Sequence, residues 1–207
     1  MEVYLIKTIA MLLSSYILGS VPFGLIIVRA CKGIDIRNVG SGNIGATNVL
    51  RAAGPGLAII VFAADIGKGI IPIIVAKQLL PDTSWVTVAV GMAAILGHGA
   101  SIFLRFKGGK GVATSLGVII GLDPRIAGIG FLIWLIVVGI TKYVSLASII
   151  SAIGIAVLMH TFRLPFAYQV FAALAGAFVI AKHKSNIVRL IQGKESRIGQ
   201  KVNTTEG

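Results

Sequence analysis

Phe106-Lys107-Gly108-Gly109-Lys110-Gly111 has the residue types of an anion site. Three glycines in four positions leave backbone amides bare and permit positive φ. Two lysines add fixed positive charge. Amides and ammonium groups together suit an anion, a phosphate above all. A flexible basic loop that merely orients a membrane protein would use the same residues, so both readings stand at this point. A nucleotide-binding P-loop is not present. That pattern needs Gly, four residues, then Gly-Lys-Ser/Thr, whereas Leu104 occupies the first glycine position and Gly111 follows Lys110. ATP hydrolysis is therefore not implied. A helix expected from Val112 would aim its first amides and its dipole at the same place, which favours the phosphate.

Two other stretches carry polar chemistry. Residues 38–51 read Asn-Val-Gly-Ser-Gly-Asn-Ile-Gly-Ala-Thr-Asn-Val-Leu-Arg. Ser41, Asn43 and Thr47 offer hydroxyl and carboxamide groups, and Arg51 can clamp an anion through two N–H groups. An ordinary solvated linker would need fewer donors. In the tail, His183 and Asn186 lie three apart and share a helix face. A basic stop-transfer helix on anionic headgroups would account for the tail's lysines but needs neither residue. Ser145 and Ser148 have the same spacing at the start of another apolar run, with packing or backbone bonding as the default role for small hydroxyls.

Asp65 and Lys68 fall within an apolar run. Ionisable groups at membrane depth mark either function or an ion pair. The spacing favours a structural pair over Asp65 as a base. His98 reads as a structural hydrogen-bonder at a helix end. A common acyltransferase signature puts Asp five residues after His. Phe103, Pro165 and Val188 stand at that distance from His98, His160 and His183, so that machinery is absent. No triad and no metal-ligand cluster is evident, and no metal or cofactor is expected.

These residues must be positioned by membrane helices. The 207 residues are 56% hydrophobic and 13% charged, with mean hydropathy +0.94. No soluble domain of this size has such a composition. The length fits one membrane domain, 1–207, with no room for a second, soluble one. Cys31 stands alone and forms no internal disulfide. Lys7 interrupts the first apolar run and no small-residue cleavage site follows, which predicts a retained helix rather than a signal peptide. Seven apolar segments run about 5–29, 57–80, 84–98, 112–122, 125–141, 145–160 and 164–181. A crossing needs about 20 residues, so the third, fourth and sixth are short. Pro22 in the first can bend its helix, with Gly19, Ser20 and Gly24 allowing close packing. Pro81, Pro124 and Pro165 mark turns between segments.

Charge predicts orientation. Fourteen Lys and Arg lie at 29–51, 105–110, Lys142 and 182–201, against Asp35, Glu195 and Glu206, a balance of +11. The opposite connections balance to +1. The positive-inside rule puts the basic side in the cytoplasm. The expectation is an all-α polytopic bundle of seven spans, N-terminus outside and C-terminus cytoplasmic. Attraction to anionic lipid explains the sign of the charge but not the glycines beside it. Nucleic-acid binding is not expected, because the basic residues sit in short connections.

Taken in order, Ser-Gly-Asn-Ile-Gly-Ala-Thr-Asn (41–48) with Arg51, Leu-Gly-His (96–98), Phe-Lys-Gly-Gly-Lys-Gly-Val-Ala-Thr (106–114), Val-Ser-Leu-Ala-Ser-Ile (144–149), and His183-x-x-Asn186 ahead of Gly193-x-Glu195 form a set. The set resembles the PlsY family, bacterial membrane acyl-phosphate:glycerol-3-phosphate acyltransferases. The resemblance implies a seven-span enzyme of the bacterial inner membrane with its site facing the cytoplasm. It implies transfer of a fatty acyl group from acyl phosphate to the 1-hydroxyl of glycerol 3-phosphate, giving lysophosphatidic acid and phosphate. Acyl-CoA and acyl carrier protein would not serve as direct donors. The residue reading then assigns Lys110 and the amides of Gly108, Gly109 and Gly111 to glycerol phosphate. Ser41, Asn43, Thr47 and Arg51 take the acyl phosphate, and His183 and Asn186, supported by Ser148, orient the hydroxyl. The acyl chain lies among membrane lipids in an apolar groove. The sequence sets no oligomeric state; a monomer suffices.

A small transporter for an organic phosphate would share the basic loops and the intramembrane pair. Its site, however, would sit near mid-membrane with access from both faces. A membrane scaffold would have no use for clustered Gly, Asn and Ser.

Overall fold

The computed structural model describes residues 1–80 and 84–200. Within them the chain forms ten α-helices and no strand: α1 (Glu2–Ser20), α2 (Phe23–Lys32), α3 (Ala46–Ala53), α4 (Pro55–Leu79), α5 (Ser84–Gly99), α6 (Val112–Leu122), α7 (Pro124–Thr141), α8 (Val144–Thr161), α9 (Phe166–Lys182) and α10 (Lys184–Ile191). The turn expected at Pro81 lies outside the described residues.

Helix ends follow local chemistry. Pro22 has no N–H to continue α1, so the first apolar segment is two helices rather than one. Ser101 Oγ donates to Ser20 O at 2.6 Å and Lys68 Nζ to Val21 O at 3.0 Å, so two carbonyls at the break are taken up by other segments. Gly33 closes α2 at φ 68°, its N–H on Arg29 O. Asp123 caps α7, its carboxylate accepting from the backbone of Arg125 at 2.9 Å and Ile126 at 3.4 Å, with Pro124 in the first position.

Helices pack through glycine. A Cβ on Gly97 would stand 2.2 Å from Tyr16 O, and one on Gly19 2.2 Å from Ala94 O, so α1 and α5 touch backbone to backbone. Likewise Gly69 meets Thr114 O at 2.3 Å and Gly117 meets Ile66 O at 2.1 Å, joining α4 to α6. Where lipid is as apolar as leucine, such close approach is what holds helices together. Ile95, Val118, Ile126, Met159 and Phe171 fill the centre between α5, α6, α7, α8 and α9. Leu5, Ile9, Leu13, Ile60, Ile71, Leu132 and Ile140 remain exposed, which suits a lipid-facing surface and no soluble one.

Contact order fixes the directions. Residues 15, 19 and 97 of the α1–α5 seam rise together, so these helices run parallel, as do α4 and α6. Gly130 on α7 faces Ile155 on α8, and Trp134 faces Ser148, an antiparallel pair. The connections 33–54 and 100–111, Lys142, and the tail after α9 thus collect at one end of the bundle. Among the described residues, five segments are long and apolar enough to cross a membrane, and a sixth if α9 and α10, bent by 61°, count together. All seven expected segments are helical, but α6 has 11 residues and covers only about 16 Å, against about 30 Å of hydrocarbon.

Candidate active site

The lysine–glycine loop is built differently from its expected form. Gly108 N–H donates to Gly99 O at 3.3 Å and Gly109 N–H to His98 O at 3.0 Å. Two of the three amides assigned to an anion are therefore spent closing the end of α5. Gly108 is crowded by backbone, where a Cβ would lie 2.0 Å from His98 O, and Gly109 by the His98 ring. Gly111 alone of the three has positive φ, 79°, and hands the chain to α6. The left-handed turn before it is made by Arg105 and Phe106, at φ 51° and 62°. Lys107 is exposed; Lys110 turns inward.

Segment 41–51 is part helix. Asn48 organises it from within, 2% exposed. Its amide donates to Ile36 O, Val39 O and Asn43 O at 2.9–3.1 Å, and its Oδ1 accepts from Ser41 N–H at 3.0 Å. Asn43 Oδ1 accepts from Gly45 N–H, an Asx turn that leads into α3. Positive φ at Gly40 and Gly42 lets the loop fold over Asn48. Ser41, Asn43, Thr47 and Arg51 are thereby brought to one side, and Arg51 reaches Ser196 O at 3.3 Å. The sequence marks the donors but not Asn48 as their keystone.

The tail turns back across this end. His183 sits at the bend between α9 and α10, 2% exposed, its Nδ1 2.7 Å from Val179 O. A carbonyl only accepts, so Nδ1 carries the proton and Nε2 presents a lone pair in the neutral ring. Asn186 Oδ1 accepts from Lys110 Nζ at 2.5 Å while its amide donates to Glu195 Oε1 at 2.6 Å. Glu195 also accepts from Ser145 Oγ at 2.8 Å and Arg189 Nε at 2.8 Å. Burial alone would raise the Glu195 pKa, yet the donors Asn186, Ser145 and Arg189 hold it below the usual carboxylate range. Glu195 is the organising residue of the tail; the sequence motif includes it without a role, and an acid amid a basic tail is the signal that marks it. Ser148 Oγ donates to Val144 O at 2.8 Å and accepts from Trp134 Nε1 at 3.3 Å, so its hydroxyl proton is already committed to backbone.

These segments line one cavity of about 910 Å³. Its mouth holds Ser41, Asn43, Thr47, Arg51, Lys110, Gly111, Ser148, His183 and Asn186; Gly108 and Gly109 do not reach it. Further along the helices it is lined by Leu116, Ile119, Phe131, Ile155 and Ala172, with Asp65, Ser115 and Ser151 also in its wall. The cavity is thus cationic at one end and mostly apolar beyond it, the shape of an anionic amphiphile. Burial pushes the Lys110 ammonium down to about 8, against the pull of Glu195. Asp65 and Lys68 form the ion pair the spacing predicts, at 2.8 Å. Among the described residues, no group of three or more His, Cys, Asp and Glu is placed to hold a metal.

A family model described as glycerol-3-phosphate acyltransferase matches residues 9–193. The chain belongs to the glycerol-3-phosphate acyltransferase family. Among the family's curated members, a glycerol-3-phosphate acyltransferase of Rippkaea orientalis is 48% identical over 197 residues, 90% of this chain and 91% of the relative. That of Aquifex aeolicus is 43% identical over 191 residues, 92% and 99% respectively. A crystal structure of PlsY, an integral membrane glycerol 3-phosphate acyltransferase in its glycerol 3-phosphate form, superposes with TM-score 0.90 at 42% identity, over 93% of this chain and 96% of that one. A second PlsY structure, the lysophosphatidic acid form, gives 0.88 at 41%. This family member is a multi-pass membrane protein, as its apolar helices and these neighbours require.

Proposed function

We propose that this protein transfers a fatty acyl group from acyl phosphate to the sn-1 hydroxyl of glycerol 3-phosphate, giving 1-acylglycerol 3-phosphate and phosphate. The observation that carries the reading is Lys110 held against Asn186 at the polar mouth of an amphiphilic cavity. PlsY structures described as its glycerol 3-phosphate form and its lysophosphatidic acid form support the same substrate and product.

In this reading Lys110 binds the phosphate of glycerol 3-phosphate, joined by the first amides of α6 from Gly111 onward. Arg51, Ser41, Asn43 and Thr47 hold the acyl phosphate, whose chain fills the mostly apolar part of the cavity. The glycerol hydroxyl oxygen attacks the acyl carbonyl carbon. The bond from that carbon to the bridging oxygen breaks, and phosphate departs with both electrons. The hydroxyl proton passes to a phosphate oxygen. His183 Nε2 accepts a hydrogen bond from the hydroxyl and Asn186 fixes the Lys110 ammonium beside it, so both orient rather than ionise. Ser148 lines the wall. A mixed anhydride is already activated, so orientation and charge stabilisation supply most of the acceleration.

The protein resides in the bacterial inner membrane as seven crossings, N-terminus outside, with the polar mouth facing the cytoplasm; α6 supplies the half-length crossing. The basic surplus on the mouth side supports this direction. Purified protein given labelled glycerol 3-phosphate tests the reading. Acylation with acyl phosphate and none with acyl-CoA is the expected result. Exchange of glycerol 3-phosphate across sealed vesicles without any acylation would instead make it a transporter.

A further inference from the structure

Three buried polar side chains play no part in the reaction above. Asp65 and Lys68 on α4 pair at 2.8 Å, and His98 on α5 brings Nδ1 to 3.7 Å from the same Asp65 oxygen. None is more than 4% exposed. Such groups are costly in the centre of a membrane bundle, so each requires an account. Lys68 has one: it donates to Val21 O at the α1–α2 break and lies 5.7 Å over the Phe23 ring. Asp65 supplies its counter-charge. His98 has no equivalent role, since its buried Nδ1 makes no hydrogen bond.

What His98 touches is the lysine loop. Its carbonyl holds Gly109 N–H at 3.0 Å. Its ring lies against the same residue, for a Cβ on Gly109 would stand 2.2 Å from Nε2. Gly109 immediately precedes Lys110. Lysine is a flexible four-carbon stem carrying a point charge, and its ammonium is only as well placed as the backbone it leaves. Next door, Lys182 Nζ donates to Gly99 O at 2.5 Å, anchoring the other end of the turn that Gly108 and Gly109 close.

We infer that Asp65 and His98 are positioning residues for Lys110. The Asp65 carboxylate, 3.7 Å from Nδ1 and without a hydrogen bond to it, biases the imidazole by charge alone; the imidazole backs the Gly109 peptide, and that peptide decides where the ammonium stands at the cavity mouth. Glycine at 109 is demanded by the ring behind it. The inference rests on the reading of Lys110 as the glycerol 3-phosphate ligand.

Steady-state kinetics on the full-length purified protein provide the test, each substrate varied with the other saturating. His98→Gln, Asp65→Asn and Gly109→Ala should each raise KM for glycerol 3-phosphate by about tenfold or more, since small misplacements of a binding group are costly. KM for acyl phosphate should stay within about twofold, being set by other residues. The double variant His98→Ala/Gly109→Ala should be no worse than its worse single variant, because the removed ring makes room for the added methyl. A merely structural role would lower melting temperature and both specificities together, with additive effects, and that pattern overturns the inference. Should Asp65→Asn fail to insert, the 98–109 pair decides alone. Wild-type acylation with no split between the two KM values removes this inference and leaves the proposed function standing; absent wild-type acylation removes both.

Discussion

Lys110 and Asn186 stand 76 residues apart in the chain, yet the ammonium of one donates to the carboxamide oxygen of the other at 2.5 Å. The amide end of Asn186 is held by Glu195, so the oxygen has no choice but to face Lys110. A loop from the middle of the chain and a helix from its tail are thereby locked into one cationic mouth. Lys110→Ala should reduce turnover of glycerol 3-phosphate by well over tenfold, and so should Arg51→Ala, the scale of losing one charge-stabilising donor. Purified variants with unchanged melting temperature and normal turnover would overturn both assignments.

Burial disfavours the charged form of the Lys110 ammonium more than Glu195 restores it, bringing its pKa down to about 8. In the proposed function phosphate is bound by the protonated form. Below pH 8 the site is charged, and kcat/KM for glycerol 3-phosphate should fall as pH rises through about 8. Glu195→Gln removes the carboxylate that raises this value, so the inflection should move to lower pH. A pH–rate profile of the free enzyme reads both; an inflection unmoved by Glu195→Gln would contradict the coupling.

Glu195 takes hydrogen bonds from Ser145, Asn186 and Arg189. Glu195→Ala leaves these groups without their acceptor, at about 1–3 kcal/mol for a buried one. Loss of several degrees in melting temperature and weaker binding of glycerol 3-phosphate should appear together. Calorimetry that finds stability lost with affinity intact would separate the tail from the site.

Gly117 rests on Ile66 O, where a Cβ would stand 2.1 Å away. Gly117→Ala should therefore push α6 from α4 at about 1–3 kcal/mol, the usual range for overpacking. Gly128→Ala is a matched control on α7, with nothing within 4 Å of its Cβ position, and should not lower the melting temperature.

Helices and polar ends were readable because both are local properties: apolar runs mark α4, α7 and α8, and Lys, Asn and Gly crowd the connections. Asp65 and Lys68 pair as their spacing requires. Less was readable wherever distant segments decide. Nothing near Gly108 in the chain reveals that its N–H will be taken by Gly99 O. Asn48 becomes a keystone only once Ile36, Val39 and Asn43 surround it. Glu195 gathers Ser145 from another helix, a contact across 50 residues. The connection between the first two apolar segments hides α3, because an eight-residue helix with a polar start looks like loop until its apolar face finds α4.

The brevity of α6 has a consequence for its first turn. Its 11 residues lie against the later half of α4, where Gly69 meets Thr114 O and Gly121 meets Ile73, so α6 begins level with the middle of α4 rather than with its start. The peptide groups that open α6, with Lys110 just before them, are recessed between neighbouring helices instead of standing proud of them. An anion held there is shielded from bulk counter-ions, so added salt should weaken its capture less than it would at an exposed lysine.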